Sequence, residues 1–258
     1  MPAGCGDDRK GGLVRILGMI FLVAVLAARA GAQELSDELR ARIAASTAFF
    51  VYHELGHALI ERMALPVRGR EEDAADALGV VLAEHFKPAE EAATVLLSAA
   101  ATFAGMAGDK DAADDGFQAL HARDRQRQYN ILCLHFGADP AARRTVADAG
   151  GLPAAHRPGC PARTERLRQA WAPLIARLHA GGSDHIWLRL RVIEAPVDPL
   201  QRAMLRALRD ELRRLNRLFD PGFRLIATFA RCGEANAFYD PADGNITFCA
   251  ELARLFDG

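Results

Sequence analysis

The chain has 258 residues, of which 50% are hydrophobic and 25% are charged, and its formal net charge is -1. This composition supplies enough apolar material for one substantial core and excludes a mainly disordered chain. The near-neutral charge gives no global electrostatic reason to expect nucleic acid or an anionic membrane surface as a partner.

The first 32 residues have the pattern of a secretory signal peptide. Basic residues flank the start of an apolar run over residues 16–28, and Ala30 and Ala32 follow it at the small-x-small spacing that signal peptidase cuts. The run is shorter than the about 20 residues that span a bilayer, so cleavage is favoured over a permanent membrane anchor. We therefore expect an exported protein, periplasmic or secreted, whose residues 33–258 form a single domain.

Four cysteines remain after removal of this segment, and they predict two disulfides because compartments beyond the membrane are oxidising. Of the three possible connectivities we favour the pairs that close short loops, Cys133 with Cys160 and Cys232 with Cys249. A zinc site made of the four thiolates is less compatible with the sequence, since no two of them form a close C-x2-4-C pair.

The helices expected from the apolar spacing make up most of the mature chain. Residues 137–161 contain several Gly and Pro and predict one long ordered loop, pinned through Cys160. Helices are predicted over residues 35–63, 71–85, 88–106 and 118–136, then over a segment ending near Ala180, and finally over residues 199–219.

Strand patterns are confined to the last third of the chain. Residues 186–193 and 223–229 have strand composition, and residues 235–239 with 245–248 predict a hairpin whose turn contains Asp240 and Gly244. The fold class is therefore predicted as α+β, with a mainly helical body and a small antiparallel sheet.

The string His53-Glu54-Leu55-Gly56-His57 carries the chemistry. On a helix, positions i and i+4 lie on one face, so both imidazoles can bind one zinc ion while Glu54 lies beside the water that the ion activates. The surrounding residues are apolar, and burying two histidines and a carboxylate without a partner is costly. The motif predicts peptide-bond hydrolysis with Glu54 as the general base.

A catalytic zinc site needs a third protein ligand and leaves the fourth position for water. Residues 71–76, Glu-Glu-Asp-Ala-Ala-Asp, open the second predicted helix. We favour Glu72 as this ligand, because Asp76 lies one turn further on and could accept the ring N–H of a ligand histidine. Glu71 and Asp73 remain alternatives, and acids at a helix start also have an electrostatic explanation.

No third histidine follows His57 at the spacing of a metzincin. The other histidines are scattered and are interpreted as surface or capping residues. One of them, or Tyr129 or Tyr239, could stabilise the oxyanion of a tetrahedral intermediate, and the residues do not select among them. They are His85, His121, His135, His156, His179 and His185.

Four strings together resemble a bacterial metallopeptidase family otherwise known as a domain of unknown function. They are residues 50–60, 69–76, 128–133 and 232–241 together with 246–249, the fourth beginning Cys-Gly-Glu-Ala-Asn-Ala-Phe-Tyr. The resemblance implies a zincin-like fold with a gluzincin-like site, in which the HExxH helix is followed by a helix carrying ExxxD. It also implies Zn2+ and a peptide or protein substrate.

The order of these strings differs from the family. There the Cys-Gly-Glu-Ala-Asn-Ala-Phe-Tyr segment precedes the HExxH helix, whereas here it begins at Cys232. The order is that of a circular permutation, which predicts that the chain near Leu35 and near Phe256 lies close in space and that the last strands pack beside the HExxH helix. The edge of the sheet could then hold an extended peptide by strand addition.

Three functions are compatible with the residues. An active zinc peptidase is favoured because the HExxH string is complete. The alternative is a non-catalytic metal-binding or interaction protein of the cell envelope that retains a zincin fold. In a third interpretation zinc is structural and closed by four ligands, including both Glu72 and Asp76. The oligomeric state is not predicted.

Overall fold

The computed structural model describes Met1 and residues 35–67, 69–107, 124–179 and 185–257. Nearly all of the predicted signal peptide, and residues 118–123 of the fourth predicted helix, lie outside the described residues. The described elements are α1 Asp37–Arg62, α2 Glu71–Phe86, α3 Ala89–Ala107, α4 Asp124–Ala138, α5 Arg144–Ala149, a 3₁₀ helix Ala154–Gly159, α6 Cys160–His179, β1 Leu188–Val192, α7 Pro199–Leu218, β2 Leu225–Ala230, β3 Ala237–Asp240, β4 Asn245–Cys249 and a 3₁₀ helix Ala250–Phe256.

Helix α1 forms the centre of the helical body. It begins where the hydroxyl of Ser36 accepts a hydrogen bond of 3.1 Å from the backbone N–H of Leu39, which satisfies one free donor of the first turn. Nearly every side chain between Ile43 and Ile60 is buried, as in a helix surrounded by other elements. Helices α2, α3 and α7 and strand β3 all contact it.

Small residues let α1 and α2 approach each other closely. A β-carbon added at Gly56 would lie 3.1 Å from the carbonyl oxygen of Ala75 on α2, tighter than most real contacts. One turn further along α2, the same two helices still approach closely, since a β-carbon at Gly79 would lie 3.5 Å from the backbone nitrogen of His53. The crossing therefore brings the first two turns of α2 beside the HExxH residues.

The sheet is mixed, so the prediction of an antiparallel sheet is wrong. Its strand order is β1-β2-β4-β3; β1 pairs with β2 and β2 with β4 in parallel, and only β3 and β4 pair antiparallel. The cause is α7, which connects β1 to β2 as a crossover and returns the chain to the end at which β1 began. The hairpin predicted for β3 and β4 is confirmed.

The prediction of one long loop over residues 137–161 is also wrong. Helix α5, a 3₁₀ helix and the start of α6 occupy this segment. Its Gly and Pro residues are spaced widely enough for short helices to form between them, and α5 ends at Gly150 and Gly151, the latter at φ 76°. The expectation that Cys160 pins the segment is confirmed, because it is bonded to Cys133 of α4.

Both predicted disulfides are present. Cys133–Cys160 joins α4 to the start of α6 across 27 residues, and Cys232–Cys249 joins the loop after β2 to the end of β4 across 17 residues. Cys133 and Cys160 are buried in an apolar cluster with Leu132 and Phe136. Both bonds are compatible with an oxidising compartment.

The start of α1 and the end of the chain lie together, as the permuted order predicts. A guanidinium nitrogen of Arg42 donates a hydrogen bond of 3.2 Å to the carbonyl oxygen of Asp257. The rings of Phe50 and Phe256 are 5.7 Å apart between centroids. Residues Ser36–Gly258 form one compact unit, and within the described ranges no helix is both long and apolar enough to cross a membrane.

Away from the HExxH string, a mostly buried group of polar side chains connects α2 to α4. His135 of α4 donates a hydrogen bond of 2.8 Å to Glu84 of α2, and Arg143 also donates to this carboxylate. Burial works to raise the pKa of Glu84, but the hydrogen bonds from His135 and Arg143 outweigh it and lower this pKa below its usual range. The ionised form of Glu84 is therefore stabilised by folding.

We expect Glu84→Gln to lower the free energy of unfolding at pH 7 by about 1–3 kcal/mol, because buried His135 and partly buried Arg143 lose a charged acceptor. Since the pKa of Glu84 is lower in the folded protein, its contribution is complete above the unfolded value and is lost as the pH falls through the folded one. Urea unfolding of the wild type and of Glu84→Gln, in EDTA and between pH 7 and pH 3, measures the difference in free energy of unfolding at each pH.

The matched control is Glu91→Gln, because Glu91 pairs with Arg214 but its side chain is 53% exposed. We expect Glu91→Gln to change the free energy of unfolding by less than about 0.5 kcal/mol. If the free energy of unfolding of Glu84→Gln stayed below that of the wild type by the same amount down to pH 3, Glu84 would not be held ionised by its partners.

Candidate metal centre

The two histidines of the HExxH string lie one turn apart on the face of α1 that meets α2. Their Nε2 atoms are 3.3 Å apart, and His53 is 3% exposed. Spacing of i and i+4 on one helix face brings the rings together. The structure therefore brings both predicted imidazoles to one point.

Each ring is held through its other nitrogen. Nδ1 of His53 donates a hydrogen bond of 2.8 Å to Oδ1 of Asp76, and Nδ1 of His57 donates one of 2.8 Å to Oε1 of Glu71. An ionised carboxylate can only accept, so both Nδ1 atoms carry hydrogen and, in the neutral rings, both Nε2 atoms carry lone pairs. Two lone pairs that face each other favour a cation between them.

Glu72 completes the group. Its Oε2 lies 3.4 Å from Nε2 of His53 and its Oε1 lies 3.5 Å from Nε2 of His57. One ligand atom from each of these three residues lies within 4.8 Å of the others, and in the described part of the chain no other group of histidine, cysteine and acidic side chains meets that criterion.

The two alternative acids lie elsewhere on α2. Glu71 contacts Nδ1 of His57 and is the more exposed of the pair, with its side chain 55% exposed. Asp73 lies on another face of the helix, in the lining of a cavity with Leu65 and Trp171. Of the three acids considered, only Glu72 faces both Nε2 atoms.

The carboxylates favour positive charge at this point. Burial works to lower the pKa of His53, but Asp76 and Glu72 outweigh it and raise the pKa to about 9. Burial also works against His57, whose pKa is raised by hydrogen bonds from its ring to Glu72 and Glu71. The arrangement is therefore one that stabilises a cation bound among these side chains.

Glu54 lies beside the histidines and is itself 3% exposed. Its Oε1 is 4.0 Å from Nε2 of His53. Burial raises the pKa of Glu54, and Glu72 adds to this, although the histidines oppose it. A carboxylate with a raised pKa accepts a proton more readily than an exposed one, as a general base must.

Asp76 has a second partner, Arg127, that the sequence pattern does not predict. Arg127 of α4 donates from Nε to Oδ2 of Asp76 and from Nη2 to Oδ1, both at 2.8 Å. Burial works to raise the pKa of Asp76, but Arg127 and His53 hold it at about 2. Both oxygens of Asp76 are thus engaged, which disfavours Asp76 as a fourth metal ligand.

A signal for Arg127 does exist in the sequence. Arg127, Ile131 and Leu134 follow a helical spacing of four and three residues, and all three are buried. An arginine on the apolar face of a helix is rarely fully buried unless it is paired. That pattern identifies a buried ion pair, but not the acid that forms it.

The remaining candidates for oxyanion stabilisation are separated by the fold. Tyr239 on β3 donates a hydrogen bond of 2.9 Å to Glu61, one turn after His57 on α1. Tyr129 instead packs against His156, with 5.7 Å between ring centroids. His135 pairs with Glu84, and His121 lies outside the described residues.

Comparison with known proteins gives one family match. A family model described as "Putative metallopeptidase" matches residues 20–175, more than half of the chain, and this range includes every residue of the candidate centre. The sheet of the C-terminal third lies outside the matched range. Neither the curated proteins nor the solved structures gave a match.

Proposed function

This chain belongs to a family described as putative metallopeptidases, and on that premise we propose that it is a zinc-dependent peptidase. His53, His57 and Glu72 hold the metal, and Glu54 is the general base. The observation that carries the proposal is the convergence of two Nε2 lone pairs and a carboxylate on one point, at 3.3 to 3.5 Å from one another. The family supports the metal and the peptide substrate.

The separations of the donor groups are compatible with zinc. An ion bonded at about 2.0–2.1 Å to tetrahedral ligands places those ligands about 3.3–3.4 Å apart. The two Nε2 atoms are 3.3 Å apart, and each has one oxygen of the Glu72 carboxylate nearby, Oε2 at 3.4 Å from His53 and Oε1 at 3.5 Å from His57. Two imidazoles and one carboxylate, with room for water, are also the donor set of many catalytic zinc sites.

The charges fit a divalent ion. Glu71 stays in contact with water, with its side chain 55% exposed, and is left out of the balance. The less exposed carboxylates Glu54, Glu72 and Asp76 carry three negative charges around the histidines, and Arg127 supplies one positive charge against Asp76. Two negative charges remain, which one divalent cation balances. A neutral cluster is the least costly arrangement for charged groups withdrawn from water.

When bound, zinc would polarise the scissile carbonyl and acidify the attacking water. A carboxylate oxygen of Glu54 takes the proton of that water and passes it to the departing amide nitrogen. Asp76 and Glu71 hold the Nδ1 hydrogens of His53 and His57, so that each Nε2 stays available.

The edge strand β3 is the proposed binding edge for substrate. In the described residues β3 pairs only with β4, and it contacts α1. An extended peptide could add to this edge through backbone hydrogen bonds. Tyr239 projects from β3 to Glu61, one turn beyond His57, so its hydroxyl is the proposed donor to the oxyanion.

The overall arrangement is proposed to be zincin-like and of the gluzincin type. The HExxH helix α1 is followed by α2, whose Glu72 and Asp76 stand in the ExxxD relation, and the sheet contacts α1 through β3. Residues 1–32 are proposed to direct export, and the two disulfides support a periplasmic or secreted location.

The proposal predicts one equivalent of zinc per chain and cleavage of unfolded protein substrates. Removing the metal with a chelator should abolish cleavage, and zinc should restore it, because the donors alone do not acidify water. Metal analysis of purified mature protein and release of dye from a labelled, denatured protein measure the two properties.

The two alternatives give different results. Tight zinc binding without cleavage of any peptide or denatured protein would contradict the peptidase and support a non-catalytic envelope protein. A zinc ion coordinated by four protein ligands, as seen by X-ray absorption, would support the structural interpretation. Absence of zinc binding would contradict every interpretation in which this centre holds zinc, and would leave only an interaction protein without metal.

A further inference from the structure

Arg127 is a buried cation beside the candidate centre. It is 4% exposed, its guanidinium carbon lies 4.0 Å from the centroid of the Phe103 ring, and two of its nitrogens bond Asp76. We propose that Arg127 is a positioning residue that fixes the carboxylate plane of Asp76 and, through it, the ring of His53. This inference rests on the proposed zinc site.

The contact between Arg127 and Asp76 needs two parallel N–H donors, which a guanidinium has and an ammonium group does not. Oδ1 of Asp76 accepts from Nδ1 of His53 and from Nη2 of Arg127, each at 2.8 Å, while Oδ2 accepts from Nε of Arg127 at 2.8 Å. A planar guanidinium that bonds both oxygens fixes the rotation of the carboxylate. Oδ1 therefore stays directed at Nδ1, and Nε2 of His53 stays directed at the metal point.

The guanidinium is itself held in place. The face of Phe103 on α3 lies against it, and a cation over an aromatic face is attracted to the ring. Nη2 of Arg127 also lies 3.5 Å from Nδ1 of His53, so little space separates the three groups. The chain of contacts runs from α3 through α4 and α2 to α1, and its last member is a metal ligand.

A purely structural role makes a different prediction, and the protein contains a matched comparison. Arg143 bonds Glu84 and thereby also ties an arginine to an acid of α2, with both side chains less than 25% exposed. Glu84 lies 12 residues after Glu72 on α2, which is about 18 Å further along the helix. Breaking it should destabilise the fold without altering the affinity of the folded protein for zinc.

The experiment is a double-mutant cycle on zinc affinity. Arg127→Lys, Asp76→Asn, the double variant and Arg143→Lys are prepared as mature protein, and the dissociation constant of zinc is measured by competition with a coloured chelator. We expect Arg127→Lys to bind zinc about 10- to 100-fold more weakly, the effect typical of residues that orient metal ligands. Lysine keeps the charge but cannot bond both oxygens.

In the Asp76→Asn background, Arg127→Lys should change zinc affinity by less than about threefold, because a residue that acts through Asp76 has nothing left to position. Arg143→Lys should bind zinc like the wild type and show only a lower melting temperature. Circular dichroism of each variant confirms that folded protein is compared.

Three results would overturn the inference: wild-type affinity in Arg127→Lys, effects of Arg127→Lys and Asp76→Asn that multiply, or equal losses in Arg127→Lys and Arg143→Lys. If Arg127→Lys does not fold, a folded Asp76→Asn variant with wild-type affinity would overturn it as well. None of these four results concerns zinc binding by the wild-type protein, so none of them contradicts the proposed function. Failure of the wild type itself to bind zinc would instead contradict the proposed function.

Discussion

The Glu54→Gln variant should lose about 10²- to 10⁴-fold in kcat, the range for removal of a general base, while it keeps its zinc. Glutamine has the same shape but cannot take the proton of the attacking water. Glu54 is buried beside His53 without being a member of the three-ligand group. Steady-state cleavage of a fluorogenic peptide, with zinc content measured on the same sample, checks this.

The stability of this variant separates catalysis from folding. Burial raises the pKa of Glu54, which means that its ionised form costs free energy in the folded protein. The neutral glutamine should therefore melt at the wild-type temperature or above it, as is common when a catalytic group is removed. Full activity in Glu54→Gln would remove Glu54 from the mechanism.

The second large effect concerns the proposed third ligand, Glu72. Glu72→Gln should weaken zinc binding by about 10³-fold, because three protein ligands share a binding free energy of roughly 10–16 kcal/mol. Glu72 is the acid whose oxygens lie within 3.5 Å of both Nε2 atoms. Chelator competition with the variant protein measures the loss.

Two neighbouring acids provide the controls. Glu71→Gln should weaken zinc binding only about tenfold, because Glu71 contacts Nδ1 of His57 and orients the ring. Asp73→Asn should leave zinc affinity unchanged, since Asp73 lies on another face of α2, in the lining of a cavity. If Glu71→Gln or Asp73→Asn caused the largest loss, that residue would be the ligand and the assignment of Glu72 would be wrong.

Local spacing accounts for most of what the sequence predicted. The HExxH residues, Glu72 and Asp76 are recognisable because helix periodicity places them on facing surfaces without knowledge of the rest of the fold. The disulfides were predictable for a similar reason: each pair is close in sequence, 27 and 17 residues apart.

What could not be predicted depends on contacts between distant segments. Arg127 lies 51 residues after its partner Asp76, and no local pattern identifies which buried acid a buried arginine meets. The directions of β1 and β2 depend on the crossover through α7, while their residue patterns are the same for parallel and antiparallel pairing. The short helix α5 was missed because Pro140 before it and Gly150 after it indicate breaks without indicating what lies between them.

The meeting of the two ends of the described unit has a consequence for ancestry. Arg42 near the beginning of α1 bonds Asp257 near the end of the chain. A gene that encoded the strands first and the metal-binding helices afterwards would need only a short new linker at that place to give the same spatial arrangement. A chain with that order would place the same side chains at the candidate centre, although an end-to-end alignment of the two sequences would separate the halves.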